Sequence, residues 1–393
     1  MSSTNDNPCK TIAVYPFSRA FLPYLTVPSL FPNAVIRTLS APNGFALTGK
    51  DAGYADNRPA VGFVVQPEAV LTGVQDDVLL VPNGEWADDM PAENLVHGDE
   101  WMPRLHQKCL RFMEAYADAG KEIWCAMKLT ADEKTAVSAR CAAAGSEFSY
   151  LYHEPDNLRE YDEAERLYTP EAAVLFVGEI TPDTNAFEIA LGLHQEFMQN
   201  GFCSALLSAQ EPYTIANVWR FPDSLFLAAD EAQKVYDINS RLKDIEETAA
   251  PDVIIVCLPG ALMKFDNQFT NGFGVKPYLI SQAVSADYAV VCVQHEYYNA
   301  AFYDTIHDLL LQRFGIPVRF FHTSNIRMDI QASQERGNLR FNYFDYQTAQ
   351  NAIAKVVHDP DTVKVPVCNV LNGNQSRLFR HVLAHLLGEE ETP

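Results

Sequence analysis

The sequence predicts an α/β fold of two domains with mostly parallel sheets, the second doubly wound. Three observations predict it. The chain has 393 residues, more than one core usually takes, since domains mostly run about 100 to 200 residues. Its strand-like runs are continuously apolar rather than alternating, which marks strands buried on both faces of a parallel sheet. Helical patterns recur between those runs, the alternation of βαβ units.

In the first half, TIAVY (11–15), AVIRTL (34–39), VGFVV (61–65), DVLLVP (77–82) and KEIWCAMKL (121–129) read as short buried strands. Helical patterns fall around Arg19 to Leu25, Glu100 to Ala117 and Ala131 to Ala144. The polar segment HEPDNLREYDEAERLYTPEA (153–172) then breaks the apolar pattern. It sets the boundary between a Rossmann-like domain over 1–155 and a second domain over 156–393. In the second half the order is VLFVG (174–178), a helix to Asn200, FCSALLS (202–208), a helix from Leu225 to Thr248, and DVIIVCLPG (252–260). A helix near Pro277 to Ser285, DYAVVCVQH (287–295), a helix from Ala300 to Arg313 and IPVRFFHTSN (316–325) complete it. Ligands of such sheets bind at the carboxyl ends of the strands.

Composition narrows the function classes. With 48% hydrophobic and 20% charged residues the chain is an ordinary folded protein. Its formal net charge of −22, from 51 acids against 29 bases, opposes binding to nucleic acid or an anionic membrane surface, because phosphate contacts need clustered Lys and Arg. The opening MSSTNDNPCKTI has no apolar h-region and no spanning apolar run occurs, so a cytoplasmic protein is expected. Eight cysteines include no C-x-x-C pair, and Cys203, Cys257, Cys292 and Cys368 lie in or beside apolar runs where a thiol acts as a small hydrophobe. Neither a zinc cluster nor a disulfide framework is expected, and no cofactor.

The run Val174 to Gly178, a polar loop and a helix-like pattern from Asn185 outline a phosphate-binding loop. That loop needs a second glycine, a lysine and a hydroxyl, for backbone N–H donors, the outer phosphates and magnesium. Those three places hold Asp183, Thr184 and Asn185, while Glu179, Asp183 and Glu188 add negative charge. Magnesium-nucleotide binding is therefore disfavoured, although the helix start can still offer N–H groups to an anion. Asn185 with Glu188 has the spacing of a capping box. GFALTGKD (44–51) has the G-x-x-x-x-G-K spacing, but with Asp51 last and no apolar helix after it, so it reads as a surface loop.

The other strand ends gather polar groups. Strand 252–260 ends in Pro259 and Gly260 and is followed by KFDNQFTNGFG (264–274), a Gly-rich loop with Asn271 that is suited to a lid. Strand 287–295 ends with His295 and Glu296, and strand 316–325 with His322, Ser324 and Asn325. The candidate binding residues are thus Glu179, Thr181, Asp183, Thr184, Asn185, Gly260, Asn271, His295, Glu296, His322, Ser324 and Asn325. Two imidazoles with a carboxylate suit a metal or acid–base pair, and equally suit strand ends capped by backbone hydrogen bonds. His381 and His385, spaced i, i+4, share a helix face but lack a third ligand in view.

IAVYPFSRAFLPYL (12–25), VGEITPDTNAFEIAL (177–191), GFGVKPYLISQAVSADYAVVCV (272–293) and FHTSN (321–325) resemble accessory proteins encoded beside radical-SAM enzymes in peptide maturation systems. That resemblance covers nearly the whole chain. It implies a role in making ribosomally synthesised, modified peptides of the bacteriocin type, with a precursor peptide or radical-SAM enzyme as partner and a homo-oligomer allowed. In its order of elements the C-terminal half also resembles dethiobiotin synthetase, a P-loop fold, but departs from it at Asp183, Thr184 and Asn185. The leading expectation is an accessory protein without NTP turnover. The alternative is an enzyme with an unusual nucleotide or metal site using Glu179, Asp183, His295 and His322.

Overall fold

The computed structural model describes residues 9–31, 33–43, 45–56, 58–83, 98–154, 166–357, 365–371 and 375–389. Contacts divide the chain into two units, Met1–Glu154 with Tyr213–Ala216, and Pro155–Pro212 with Asn217–Pro393. The short Tyr213–Ala216 excursion has no mark in the sequence pattern.

The first unit is built on six parallel strands: β1 Lys10–Val14, β2 Ala34–Ala41, β3 Val65–Pro67, β4 Val78–Val81, β5 Glu122–Cys125 and β6 Phe148–Tyr150, in spatial order β3-β2-β1-β4-β5-β6. This is the strand order of dinucleotide-binding sheets. The turn after β1, however, is Tyr15 to Arg19 and contains no glycine for a pyrophosphate to approach. Tyr15 is wholly buried there and donates its hydroxyl to Glu68 Oε2 at 2.9 Å. Of VGFVV, Val65 alone enters β3. Residues before it belong to a loop that Asp51 clamps, its carboxylate accepting the N–H groups of Gly53, Val61 and Gly62 at 2.9, 2.8 and 3.0 Å. Lys50 lies over the Tyr54 ring, 3.7 Å from its centroid, so the G-x-x-x-x-G-K match is a scaffold loop. The helices are α1 Leu22–Leu25, α2 Gly98–Asp118 and α3 Ala131–Ala144, the last begun by a Thr130/Glu133 capping box.

The second unit carries seven parallel strands: β7 Ala173–Glu179, β8 Ser204–Ser208, β9 Val218–Arg220, β10 Val253–Ala261, β11 Tyr288–Val293, β12 Val318–Thr323 and, later in the chain, β15 Val367–Cys368. A small antiparallel pair, β13 Ile326–Met328 and β14 Phe341–Tyr343, follows β12. The order β15-β12-β11-β7-β10-β8-β9 puts β7 between β11 and β10. The connecting helices are α4 Ala186–Gln199, α5 Glu231–Ala249, α6 Val275–Ala283, α7 Ala300–Phe314, α8 Ile330–Arg336, α9 Tyr346–Val357 and α10 Gln375–Leu386.

Helices cover both sheet faces, which is why the strands are apolar throughout. Val174, Phe176, Ile254, Val256, Val291 and Phe321 pack on one face with Ile238 and Leu242 of α5, Ile280 of α6 and Leu310 of α7. Each such side chain contributes about 1.5 to 3 kcal/mol by leaving water. Among the described residues no helix is long and apolar enough to cross a membrane. Because β7, β10, β11 and β12 are parallel neighbours, their carboxyl ends lie at one sheet edge.

Candidate functional site

At that edge β7 delivers Gly178 and Glu179. A Cβ at Gly178 would stand 3.0 Å from Leu258 Cδ1 and 3.3 Å from Leu262 Cδ1, so a side chain there would press on these two leucines at the end of β10. The turn that follows carries two left-handed residues before the helix starts. Asp183 has φ 66° and Asn185 φ 75°, both left-handed, at the positions where a phosphate loop has its second glycine and its hydroxyl residue. Successive N–H groups in such a turn converge on a concavity that suits an anion.

Here the concavity holds the chain's own carboxyl group. The N–H of Asp183 donates to Glu179 Oε1 at 3.2 Å and the N–H of Thr184 to Oε2 at 3.1 Å. The Thr184 hydroxyl lies 3.4 Å from the same Oε2, but its single proton has the better acceptor in the Thr181 carbonyl at 2.9 Å. Thr181 and Thr184 are buried, so the turn is tied from within. Glu179 therefore takes up both N–H donors of this turn.

The electrostatics follow from the strand register. Cys292 pairs side by side with Glu179 and also with His322, which puts the three in one row across β7, β11 and β12. Burial, then the neighbouring Asp183 charge, push the Glu179 carboxyl up to about 8, against the opposing pull of the two N–H donors. Burial and then the Glu179 charge push the Cys257 and Cys292 thiols up, which disfavours their thiolate forms.

Asn185 corrects one expectation. A capping asparagine needs extended backbone so that its oxygen turns onto the second or third N–H, whereas Asn185 at φ 75°, ψ 16° makes no such bond. Its Oδ1 instead accepts from the Ser324 hydroxyl, and its Nδ2 donates to Glu188 Oε2 at 3.5 Å. Through Ser324 the loop after β7 is joined to the end of β12.

The remaining candidates have scaffold partners. His322 Nδ1 accepts the Val370 N–H at 3.1 Å, which makes it a neutral imidazole tying β12 to the segment after β15. His295 packs on Phe344 with ring centroids 4.6 Å apart, and its buried Nδ1 has no hydrogen-bond partner among the described residues. Burial holds its pKa below the usual histidine value, followed by the opposing pull of Glu296. Glu296 pairs with Arg327 at 2.8 Å, and Asn325 Nδ2 donates to the Phe344 carbonyl at 3.1 Å. His381 Nδ1 lies 2.9 Å from the Tyr288 hydroxyl, and the His385 ring packs edge-on to Tyr288, so this half-buried i, i+4 pair packs onto a buried core tyrosine. Among the described residues no group of three His, Cys, Asp or Glu is placed to hold a metal ion.

Gly260 and Asn271 face a separate cleft of about 400 Å³ beside Pro182. Its rim contains an unusual turn, because Asn271, Gly272, Phe273 and Gly274 are all left-handed, with φ of 48°, 61°, 56° and 70°. A left-handed residue other than glycine costs roughly 1 to 2 kcal/mol, and strain of this kind gathers at functional sites. At Gly274 a Cβ would stand 2.1 Å from the Leu262 carbonyl oxygen, so no other residue fits. Sequence reasoning missed Lys234, Lys276 and Phe226 in this cleft. The available signal was a lysine two residues after the Gly-rich run, in the first turn of a helix with no acid there.

No protein-family model matches the sequence, and no curated protein matches it significantly. Solved structures define the class as a two-sheet parallel α/β fold. The chain is similar to a DUF1611 family protein from Anabaena variabilis, with a TM-score of 0.55 at 14% identity over 95% of this chain and 99% of that one. The MinD cell division protein of Aquifex aeolicus aligns over 56% of this chain and 99% of its own at a TM-score of 0.33 and 11% identity. The MinC:MinD complex of the same organism aligns over 56% of this chain and 86% of its own at 0.30 and 14%. The first of these carries the fold assignment. None of the three names concerns peptide maturation.

Proposed function

We propose that this chain is a nucleotide-independent accessory protein that binds a precursor peptide, or the radical-SAM enzyme acting on it, in the maturation of bacteriocin-type ribosomal peptides. The observation that carries the nucleotide-independent part is the Glu179 carboxyl hydrogen-bonded to the N–H groups of Asp183 and Thr184. A γ-phosphate entering that turn meets a carboxyl group already in place, an Asp183 charge beside it, and no lysine in the loop. Phosphoryl transfer depends on the charge and metal ligand that are absent from these positions. The peptide-maturation part rests on the resemblance of the linear stretches and on the −22 charge, which steers a basic peptide segment toward the surface.

Two measurements test it. Calorimetry with magnesium ATP or GTP should give no micromolar affinity, and saturable micromolar binding would overturn the nucleotide-independent reading. Capture of a basic precursor segment should weaken steeply as salt rises, because exposed charges are screened over about 8 Å at physiological ionic strength. Failure to bind either a precursor peptide or a radical-SAM enzyme would remove the maturation role. A second reading has one observation in its favour. A carboxyl group that titrates at about 8 is suited to general acid–base work near neutral pH, and an enzyme would lose turnover on Glu179→Gln while keeping its ligand affinity.

A further inference from the structure

The cleft beside Pro182 inverts the charge of the chain around it. Its lining includes Lys234, Lys276, Phe226, Leu227 and Val275, and none of its lining residues is acidic, in a protein with 51 acids against 29 bases. The two lysines come from the first turns of α5 and α6, which pack together. Lys234 is 12% exposed at its side chain and its Nζ lies 3.2 Å from Glu231 Oε1, so half of the cationic pair is already balanced. Lys276 makes no ion pair among the described residues and rests over the Phe226 ring, 4.8 Å from its centroid. Cations near helix starts are disfavoured by the backbone dipole, which prefers an anion there. The same walls are apolar: Phe226 is 44% exposed, Leu227 42% and Val275 43%.

We infer that this cleft binds a carboxylate carried on an apolar body, with Lys276 as the ion-pair partner, Lys234 as a second cation and Phe226, Leu227 and Val275 against the apolar part. A monocarboxylate fits better than a phosphate ester, because one unpaired ammonium on an aromatic face balances one charge. The left-handed turn at 271–274 fixes the rim, and the Arg313 guanidinium bonded to the Phe273 carbonyl at 2.8 Å holds that turn in place. The cleft stands on its own residues, so its failure would leave the account of Glu179 untouched.

Isothermal titration of the full chain with 3-phenylpropionate tests the inference, with 3-phenylpropan-1-ol as the neutral control. The acid should bind, and the alcohol should bind at least about tenfold more weakly, the factor expected when a charge-assisted contact is lost. Lys276→Gln should weaken the acid by a similar factor and leave the melting temperature unchanged, since the side chain is exposed. A short peptide ending in a free phenylalanine carboxylate and its amide separate the sources: a peptide that outbinds phenylpropionate identifies a chain terminus, the reverse a free acid. Equal binding of acid and alcohol, an unchanged affinity in Lys276→Gln, or no binding at millimolar acid would overturn the proposal.

Discussion

Raising the pH should destabilise this protein through one side chain. The Glu179 carboxyl is raised from 4.5 to about 8 in the folded chain, so between those values the folded state holds a proton that the unfolded state has released. Stability then falls with pH, by about 1.4 kcal/mol per unit inside the window. Its contribution is complete below the unfolded value and lost as pH rises through the folded one. From about pH 6 to about pH 9 the loss attributable to Glu179 is about 2 to 3 kcal/mol. Glu179→Gln removes the titration but leaves one of the two loop N–H donors facing an amide nitrogen that cannot accept, at about 1 to 3 kcal/mol. The variant should therefore be less stable than wild type at about pH 6, and the gap should close as the pH rises. Denaturant unfolding of both proteins across that range reads the gap directly. His295, held below the usual histidine value, acts with the opposite sign, its contribution being lost as pH falls, and cancels in the difference. Parallel stability curves for the two proteins would refute the reasoning.

Other outcomes follow from the same geometry. Asp183→Gly removes a left-handed aspartate at φ 66° and a charge next to Glu179, so it should stabilise the chain by about 0.5 to 1 kcal/mol and move the Glu179 window to lower pH. Gly274→Ala places a methyl against the Leu262 carbonyl at positive φ and should lower stability by about 2 to 4 kcal/mol, measured by thermal unfolding. Ser324→Ala deletes the bond to Asn185 and leaves the Ile326 N–H without its hydroxyl acceptor, which should cost about 1 to 3 kcal/mol and speed amide exchange in the 183–185 loop.

The sheet of the second unit was legible because burial on both faces makes β7, β10, β11 and β12 continuous apolar runs. The short edge strands β6, β9 and β15 were not, since Phe148–Tyr150, Val218–Arg220 and Val367–Cys368 have too few residues to show a period. VGFVV read as a strand on composition, but the Asp51 clamp draws Val61 and Gly62 into a loop, a tertiary contact that composition does not carry. At the site, the absence of lysine and glycine after Gly178 was visible, and so was the negative charge of Glu179. What the sequence did not show is that this carboxyl group turns onto the loop's own N–H groups and is held protonated to about pH 8. That depends on the left-handed backbone at Asp183 and Asn185, which residue type permits without dictating. His295 and His322 were grouped by strand order alone, while their partners, Phe344 and the Val370 N–H, lie in later segments.

The central claim is that Glu179 fills its own phosphate-type loop, and a carboxyl-detected NMR titration of Glu179, read together with the amide signals of Asp183 and Thr184, tests it most directly. The expected carboxyl midpoint is about 8, with both amides shifting at that same midpoint as their acceptor ionises. A midpoint at the ordinary value of 4.5, with the two amides unmoved through it, would contradict the account.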